Sequence, residues 1–194
     1  VPKMPKNRHK TKTRPTIVIP LEWFNSFHAM YRCYAPSVKQ LRKHFKLVAF
    51  ARAGDLDQTA TDLFDVVVTL NENIVLDELV KQIHSYKPDI IWYPSIGMAL
   101  CWVAMASIRL APIQVMTLGH PASSMSSEID YMLVEEGQIG DAPRSERVIT
   151  LPSGAWRFEE RSDTVIPPSN VGNDGVIRIA VPANVFKLNF TFLE

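Results

Sequence analysis

The chain has 194 residues, 46% of them hydrophobic and 21% charged, with a formal net charge of +1. That composition supports a substantial folded core and excludes a disordered chain; the longest apolar run, residues 96–108, is too short to span a bilayer as a helix. The charge divides unevenly, because Lys3, Lys6, Arg8, Lys10, Lys12 and Arg14 meet no acid before residue 16, which leaves an acidic body. A nucleic-acid role would have to rest on that tail alone, so residues 1–14 read as a solvated basic linker.

The first residues carry no apolar signal core, and the two cysteines, Cys33 and Cys101, lie far apart in apolar surroundings. They read as reduced thiols packed as small hydrophobes, which fits a cytoplasmic protein. The chain begins at Val1 and ends at Phe192-Leu193-Glu194. Both ends read as cut from something longer.

In chain order, Thr16-Ile-Val-Ile-Pro20 is the first strand, followed by the unusual polar and aromatic turn Leu21-Glu-Trp-Phe-Asn-Ser-Phe-His28. Apolar side chains at Phe27, Met30, Tyr31, Tyr34, Val38, Leu41 and Phe45 have a helical period. Pro36 falls inside it and removes the bond to the Arg32 carbonyl, which predicts a kink or a restart. Leu47 to Ala51 is the second strand, Gly54 to Asp62 a polar loop or short helix, and Asp65 to Leu70 the third strand. Asn71 or Asn73 is expected to cap a helix bearing Leu76, Leu79, Val80 and Ile83.

Ile90 to Tyr93 is the fourth strand. A helix from Ile96 to Ile108, apolar all round and N-capped by Ser95, should pack on the sheet with little exposure. Ile113 to Thr117 is the fifth strand, ending at Gly119-His120-Pro121; Asp130 to Glu135 and Arg147 to Leu151 are the sixth and seventh. Strands alternating with helices imply right-handed crossovers. Residues 15–151 are thus expected to form an α/β, Rossmann-like domain with a mostly parallel sheet and helices on both faces. Residues 152–175 read as a linker, and residues 176–194 as the start of a second domain or a closing strand.

The motifs of common nucleotide and hydrolase folds are absent. The eight glycines form neither G-x-G-x-x-G nor a P-loop, and there is no H-E-x-x-H, no G-x-S-x-G and no Cys/His cluster at zinc-ligand spacing. What remains is positional. The carboxyl ends of the first, fourth and fifth strands would bring Glu22 to His28, Tyr93 to Gly97 and Thr117 to Ser124 to one cleft. There a helix N-terminus at Ser95–Gly97 could face an anion or a sugar, and His28 and His120 could donate hydrogen bonds or act as bases.

Each has a plainer reading: His28 packs on its helix, His120 bonds nearby backbone, and the serines after Pro121 form turns. His44 and His84 read as surface residues, and Glu135 and Glu136 as a base candidate or a solvated edge. Trp23, Trp92 and Trp156 read as a sugar-stacking surface or as core. A rival class is a non-enzymatic flavodoxin-like or receiver-like protein-binding module, to which Asp55, Asp57, Asp62 and Asp65 lend acidic material.

The segments Leu21-Glu-Trp-Phe-Asn-Ser-Phe-His-Ala-Met-Tyr-Arg32, Trp92-Tyr-Pro-Ser-Ile-Gly-Met98, Arg109-Leu-Ala-Pro-Ile-Gln-Val-Met-Thr-Leu-Gly-His-Pro-Ala122 and Ile129-Asp-Tyr131 resemble the bacterial cytoplasmic N-glycosyltransferases that modify high-molecular-weight adhesins. These are relatives of the O-linked N-acetylglucosamine transferases. The resemblance runs from about residue 14 to 190.

It implies a fragment of a GT-B enzyme, with two Rossmann-like domains flanking the active site and a helical domain preceding them. It also implies transfer of a hexose from a UDP-sugar (UDP-glucose, UDP-galactose or UDP-N-acetylglucosamine) to an adhesin-like acceptor protein, at asparagine in Asn-x-Ser/Thr, without a metal. His28 and His120 match the family's cleft histidines. Glu22, Ser95, Gly97, Gly119 and Ser123 would line the substrate side, and Lys187 would belong to the nucleotide domain. The family tends to carry a further histidine where this chain has Met125, which leaves a binding protein derived from the family as a third reading. The isolated fragment is expected to be nearly inactive, since half the cleft is missing.

Overall fold

A computed structural model of the chain describes residues 14–71, 73–119, 122–138 and 140–160. His120, Pro121, Lys187 and the expected second domain lie outside them. Seven strands form one sheet: β1 (Thr16–Pro20), β2 (Lys46–Arg52), β3 (Val66–Leu70), β4 (Ile90–Tyr93), β5 (Ile113–Thr117), β6 (Tyr131–Glu135) and β7 (Arg147–Leu151). Their order is β3-β2-β1-β4-β5-β6-β7 and every pairing is parallel. This is the expected Rossmann-like sheet, with helices on both faces.

Alternation along β1 feeds two apolar layers. Val18 points with Val48 and Phe50 toward helices α3 (Leu76–Ser85) and α4 (Leu100–Ala106), where it meets Leu79, Ile83, Trp102 and Met105. Ile17 and Ile19 point the other way, toward Tyr31, Tyr34 and Val38 of α1 (Ala29–Leu41). Cys33 and Cys101 are free thiols on these two opposite layers, and burial pushes both thiols up. The short α2 (Gln58–Thr61) is capped by the Asp57 side chain, which accepts the Ala60 N–H. Among the described residues no helix is long and apolar enough to cross a membrane.

Three expectations are corrected. The first helix does not restart at Pro36, but continues from Ala29 to Leu41 with Pro36 inside it. The carbonyl that Pro36 leaves without a helical partner, that of Arg32, accepts the Glu159 N–H at 2.8 Å instead. Residues 152–160, the first part of the expected linker, accordingly pack back on α1. Trp156 stands edge-on to Tyr34 with ring centroids 5.2 Å apart, and Lys39 pairs with Glu159 at 2.7 Å.

The helix expected over residues 96–108 is the second correction, since α4 starts only at Leu100 and Ser95 does not cap it. Its far side is open as well: Leu100 is 88% exposed and Val103 41%. Its buried residues are Trp102, Met105 and Ala106. Third, neither Asn71 nor Asn73 is the cap residue of α3; Val75 holds that position without a side-chain bond. Asp77 and Glu78 in the first turn supply the negative charge that favours a helix start.

Candidate functional site

The order β2-β1-β4-β5 places a topological switch point between β1 and β4, because the chain leaves these neighbours toward opposite sides of the sheet. The loops that follow the carboxyl ends of β1, β4 and β5, where such sheets place their ligands, are residues 21–28, 94–99 and 118–119. The first of these loops is tied down along its length. Leu21 donates its N–H to the Phe50 carbonyl at 2.9 Å, and Phe24 to the Asp55 carbonyl at 2.8 Å. The buried Trp102 indole donates to the Leu21 carbonyl at 3.0 Å, and the Ser26 amide and hydroxyl both reach Asp57. Between these anchors Trp23 has φ +43°, a left-handed conformation uncommon for a bulky residue, and its side chain is 43% exposed at the rim.

Glu22 turns the other way, into the protein, and is 3% exposed. Its Oε1 accepts the amides of Gly97, Met98 and Ala99 at 3.3, 3.1 and 2.8 Å; its Oε2 accepts the Ser95 hydroxyl at 2.8 Å. The chain's own carboxylate thus fills the place where an anion was expected. The amides of residues 97–99, expected to face a ligand phosphate, are spoken for. The same bonds hold residues 95–99 outside the helix, which is why α4 begins late.

Gly119 closes the third side. Its N–H donates to the Pro94 carbonyl at 3.0 Å, and Thr117 donates its hydroxyl to the same oxygen at 3.0 Å. A Cβ on Gly119 would lie 2.4 Å from that oxygen and 2.8 Å from the Ser95 Cβ. Glycine is required there by close approach of two backbones.

His28 is not simply packed on the helix, as its apolar neighbours suggested. It is the N-cap residue of α1, and its Nδ1 accepts the Met30 N–H at 3.2 Å. An imidazole that accepts at Nδ1 carries its proton on Nε2. No described residue pairs with that Nε2, and the half-buried ring lies 6.2 Å from that of Trp23. A hydrogen-bond donor is thereby left available on the loop after β1.

Ser123 is held elsewhere. Its hydroxyl donates to Glu146 Oε2 at 2.7 Å and accepts the amides of Met125 and Ser145. Ser124 gives both its amide and its hydroxyl to Glu146 Oε1. Burial opposes the charge on Glu146, but the Ser124 and Ser123 hydroxyls and backbone N–H groups together outweigh it and hold the carboxyl below its ordinary value. Sequence reasoning missed Glu146; a lone acid just before the seventh strand was its sole signal. The serine run is turn-forming, and it displays Met125, 71% exposed at φ +54°.

Of the expected site residues, the structure therefore joins Glu22, Ser95 and Gly97 directly, sets Gly119 against them and carries His28 on the Glu22 loop. Ser123 makes no hydrogen bond to this group. Glu135 accepts the Trp156 amide at 2.6 Å, His44 and His84 are exposed, and Trp92 is buried. The loop aspartates are likewise engaged: Asp55 with Arg52, Asp57 with Ser26, Asp62 with Gln58, and Asp65 with Arg14 and Arg42. They make no shared acidic pocket of the receiver kind. Among the described residues no three His, Cys, Asp or Glu side chains are grouped to hold a metal. An apolar groove of about 600 Å³ lies between α1, the sheet and residues 155–157, apart from these loops.

No family model matches the chain. It is 32% identical, over 190 aligned residues, to the UDP-glucose:protein N-beta-glucosyltransferase of Actinobacillus pleuropneumoniae serotype 5b (strain L20), and 33% to that of serotype 7 (strain AP76). Each alignment takes in 93% of this chain and 30% of the relative, so the chain spans about a third of the length of the proteins it matches. In structure it is similar to an O-GlcNAc transferase mutant of Thermobaculum terrenum, with a TM-score of 0.62 at 18% identity over 78% of this chain and 30% of that one. That likeness is one of fold. The resemblance drawn from the sequence segments is borne out by the two relatives.

Proposed function

We propose that this chain, a relative of the UDP-glucose:protein N-glucosyltransferases, is the acceptor-side Rossmann-like half of a longer UDP-sugar-dependent enzyme. Its reaction would transfer a hexose to asparagine in Asn-x-Ser/Thr of an acceptor protein. The observation that carries this reading is the match across 93% of the chain to two proteins named UDP-glucose:protein N-beta-glucosyltransferase.

The geometry agrees with a division of labour between two domains. Since Glu22 occupies the amides at residues 97–99, this half offers no free N–H cluster there for a pyrophosphate. The nucleotide then falls to the second domain, beginning within residues 176–194, where Lys187 would meet a phosphate. A bond forms between the asparagine amide nitrogen and the anomeric carbon as the bond from that carbon to the UDP oxygen breaks. The electron pair leaves with UDP, and the proton lost from the nitrogen passes to solvent water. His28, through Nε2, and His120 orient acceptor and donor, and donors of the second domain, not a metal, offset the charge on the departing phosphate. The enzyme would work in the cytoplasm on an adhesin-like protein.

The test is mass spectrometry of an Asn-x-Ser/Thr peptide incubated with the longer protein and UDP-glucose, UDP-galactose or UDP-N-acetylglucosamine, with and without chelator. Transfer that survives chelation supports the reading. Absence of transfer from all three donors overturns it.

A further inference from the structure

We propose that Glu22 is a positioning residue of the cleft, a buried carboxylate that locks the loops after β1, β4 and β5 into one arrangement. The proposal rests on the glycosyltransferase reading for its catalytic consequence, but not for its structural one.

Four donors converge on one side chain that is 3% exposed: the Ser95 hydroxyl and the amides of Gly97, Met98 and Ala99. A buried carboxylate is tolerated only when its lone pairs are filled, and four donors are enough to fill them. Of the loops it joins, the one after β4 depends on it most, since the amides of residues 97–99 all donate to Glu22. Residues 95–99 belong to no helix or strand, and Gly97 has φ +136°. Trp23, next in sequence to Glu22, is held at φ +43°, a strained conformation that persists only when its surroundings over-determine it.

The lock extends on both sides. Toward β5, Ser95 and Pro94 form the wall against which Gly119 is packed without room for a side chain, so the post-β5 turn takes its position from the clamped loop. Toward α1, the loop that begins with Glu22 ends with His28, whose Nε2 faces no described partner. One carboxylate thereby relates the imidazole, the aromatic rim and the turn that leads into His120. Sites built on loops need such support to hold their groups in productive geometry.

The experiment compares the longer protein as wild type, E22Q, E22D and E22A by hydrogen exchange with mass spectrometry and by steady-state transfer from UDP-glucose. In E22Q the side-chain carbonyl still accepts the three amides, and the Ser95 hydroxyl can turn to accept from the new NH₂. Protection should stay as in wild type and kcat within about threefold. In E22A the donors are orphaned, so peptides covering residues 21–28, 94–99 and 118–119 should lose protection together while β2 and β5 keep theirs. Its kcat should fall more than about tenfold with KM for UDP-glucose within about twofold, because this half does not hold the nucleotide. E22D, one methylene shorter, should lie between and serves if E22A does not fold.

Loosening confined to residues 94–99, an unchanged kcat per folded molecule, or E22Q as impaired as E22A would each overturn the proposal. A wild-type protein without transferase activity would overturn the glycosyltransferase reading, and the exchange pattern alone would then decide for or against the lock.

Discussion

Glu159 donates its amide to the carbonyl of Arg32 at 2.8 Å, and that carbonyl is the one that Pro36 leaves vacant within α1. A proline inside a helix costs about 3 kcal/mol, partly through the lost bond. Here the residue that removes the bond also creates a docking point for residues 152–160. Replacing Pro36 by Ala should let the helix reclaim the Arg32 carbonyl. α1 should become more stable by less than about 3 kcal/mol, and residues 152–160 should loosen. Limited proteolysis within 152–160 should accelerate; cleavage at the wild-type rate would show that the remaining contacts, Trp156 with Tyr34 and Glu135 and Lys39 with Glu159, hold the segment without the bond to Arg32.

Gly119 offers a sharper steric test. A methyl group there meets the Pro94 oxygen at 2.4 Å, and that oxygen belongs to backbone already fixed by two hydrogen bonds. Gly119→Ala should destabilise by about 1–3 kcal/mol, as overpacking does. Gly140, where an added methyl would meet nothing within 4 Å, is the control and should tolerate alanine without loss. Thermal melts of the two variants decide the matter.

The two duties of His28 can be separated. His28→Ala removes the helix cap and should cost about 1 kcal/mol of stability. His28→Asn restores a capping acceptor but not the imidazole Nε2, so its melting temperature should return toward wild type while transfer by the longer protein stays as low as in His28→Ala. Recovery of transfer in His28→Asn would reduce His28 to its cap.

Three carboxylates link stability to acid. Burial opposes the charge of Asp57, Asp65 and Glu146, yet hydrogen bonds outweigh it and leave all three below their ordinary values of 3.8, 3.8 and 4.5. For Asp57 the bonds come from Ser26 and Ala60, and for Asp65 from Leu47, Arg42 and Arg14. A carboxyl lowered by folding contributes stability that is full above its unfolded value and is lost as the pH falls through its lowered native value. Urea midpoints should therefore hold down to about pH 4.5 and decline below 3.8. Asp65→Asn should flatten that decline, and an unaltered acid profile in the variant would remove Asp65 from the linkage.

Much of the fold is legible locally. β-branched runs and their alternation mark Thr16–Pro20, Ile113–Thr117 and Arg147–Leu151 to the residue, because a strand's apolar period of two needs no distant partner to be seen. The parallel sheet follows from strands alternating with helices, and the switch point follows from the sheet. The residue segments that carry the family resemblance are equally a property of the sequence.

Tertiary structure decided what each polar group is for. The segment 95–99 has the apolar composition of a helix start, but a carboxylate 75 to 77 residues earlier in the chain takes the amides of residues 97–99 and delays the helix to Leu100. Pro36 has the local effect of a helix breaker, and an amide more than a hundred residues later cancels it. Ser123 and Ser124 look available until Glu146 is brought beside them. In each case the deciding partner is remote in sequence, and a hydrogen bond has no period along the chain. Hydrophobic burial is written in patterns that can be counted, whereas the pairing of buried polar groups exists only once the chain has folded.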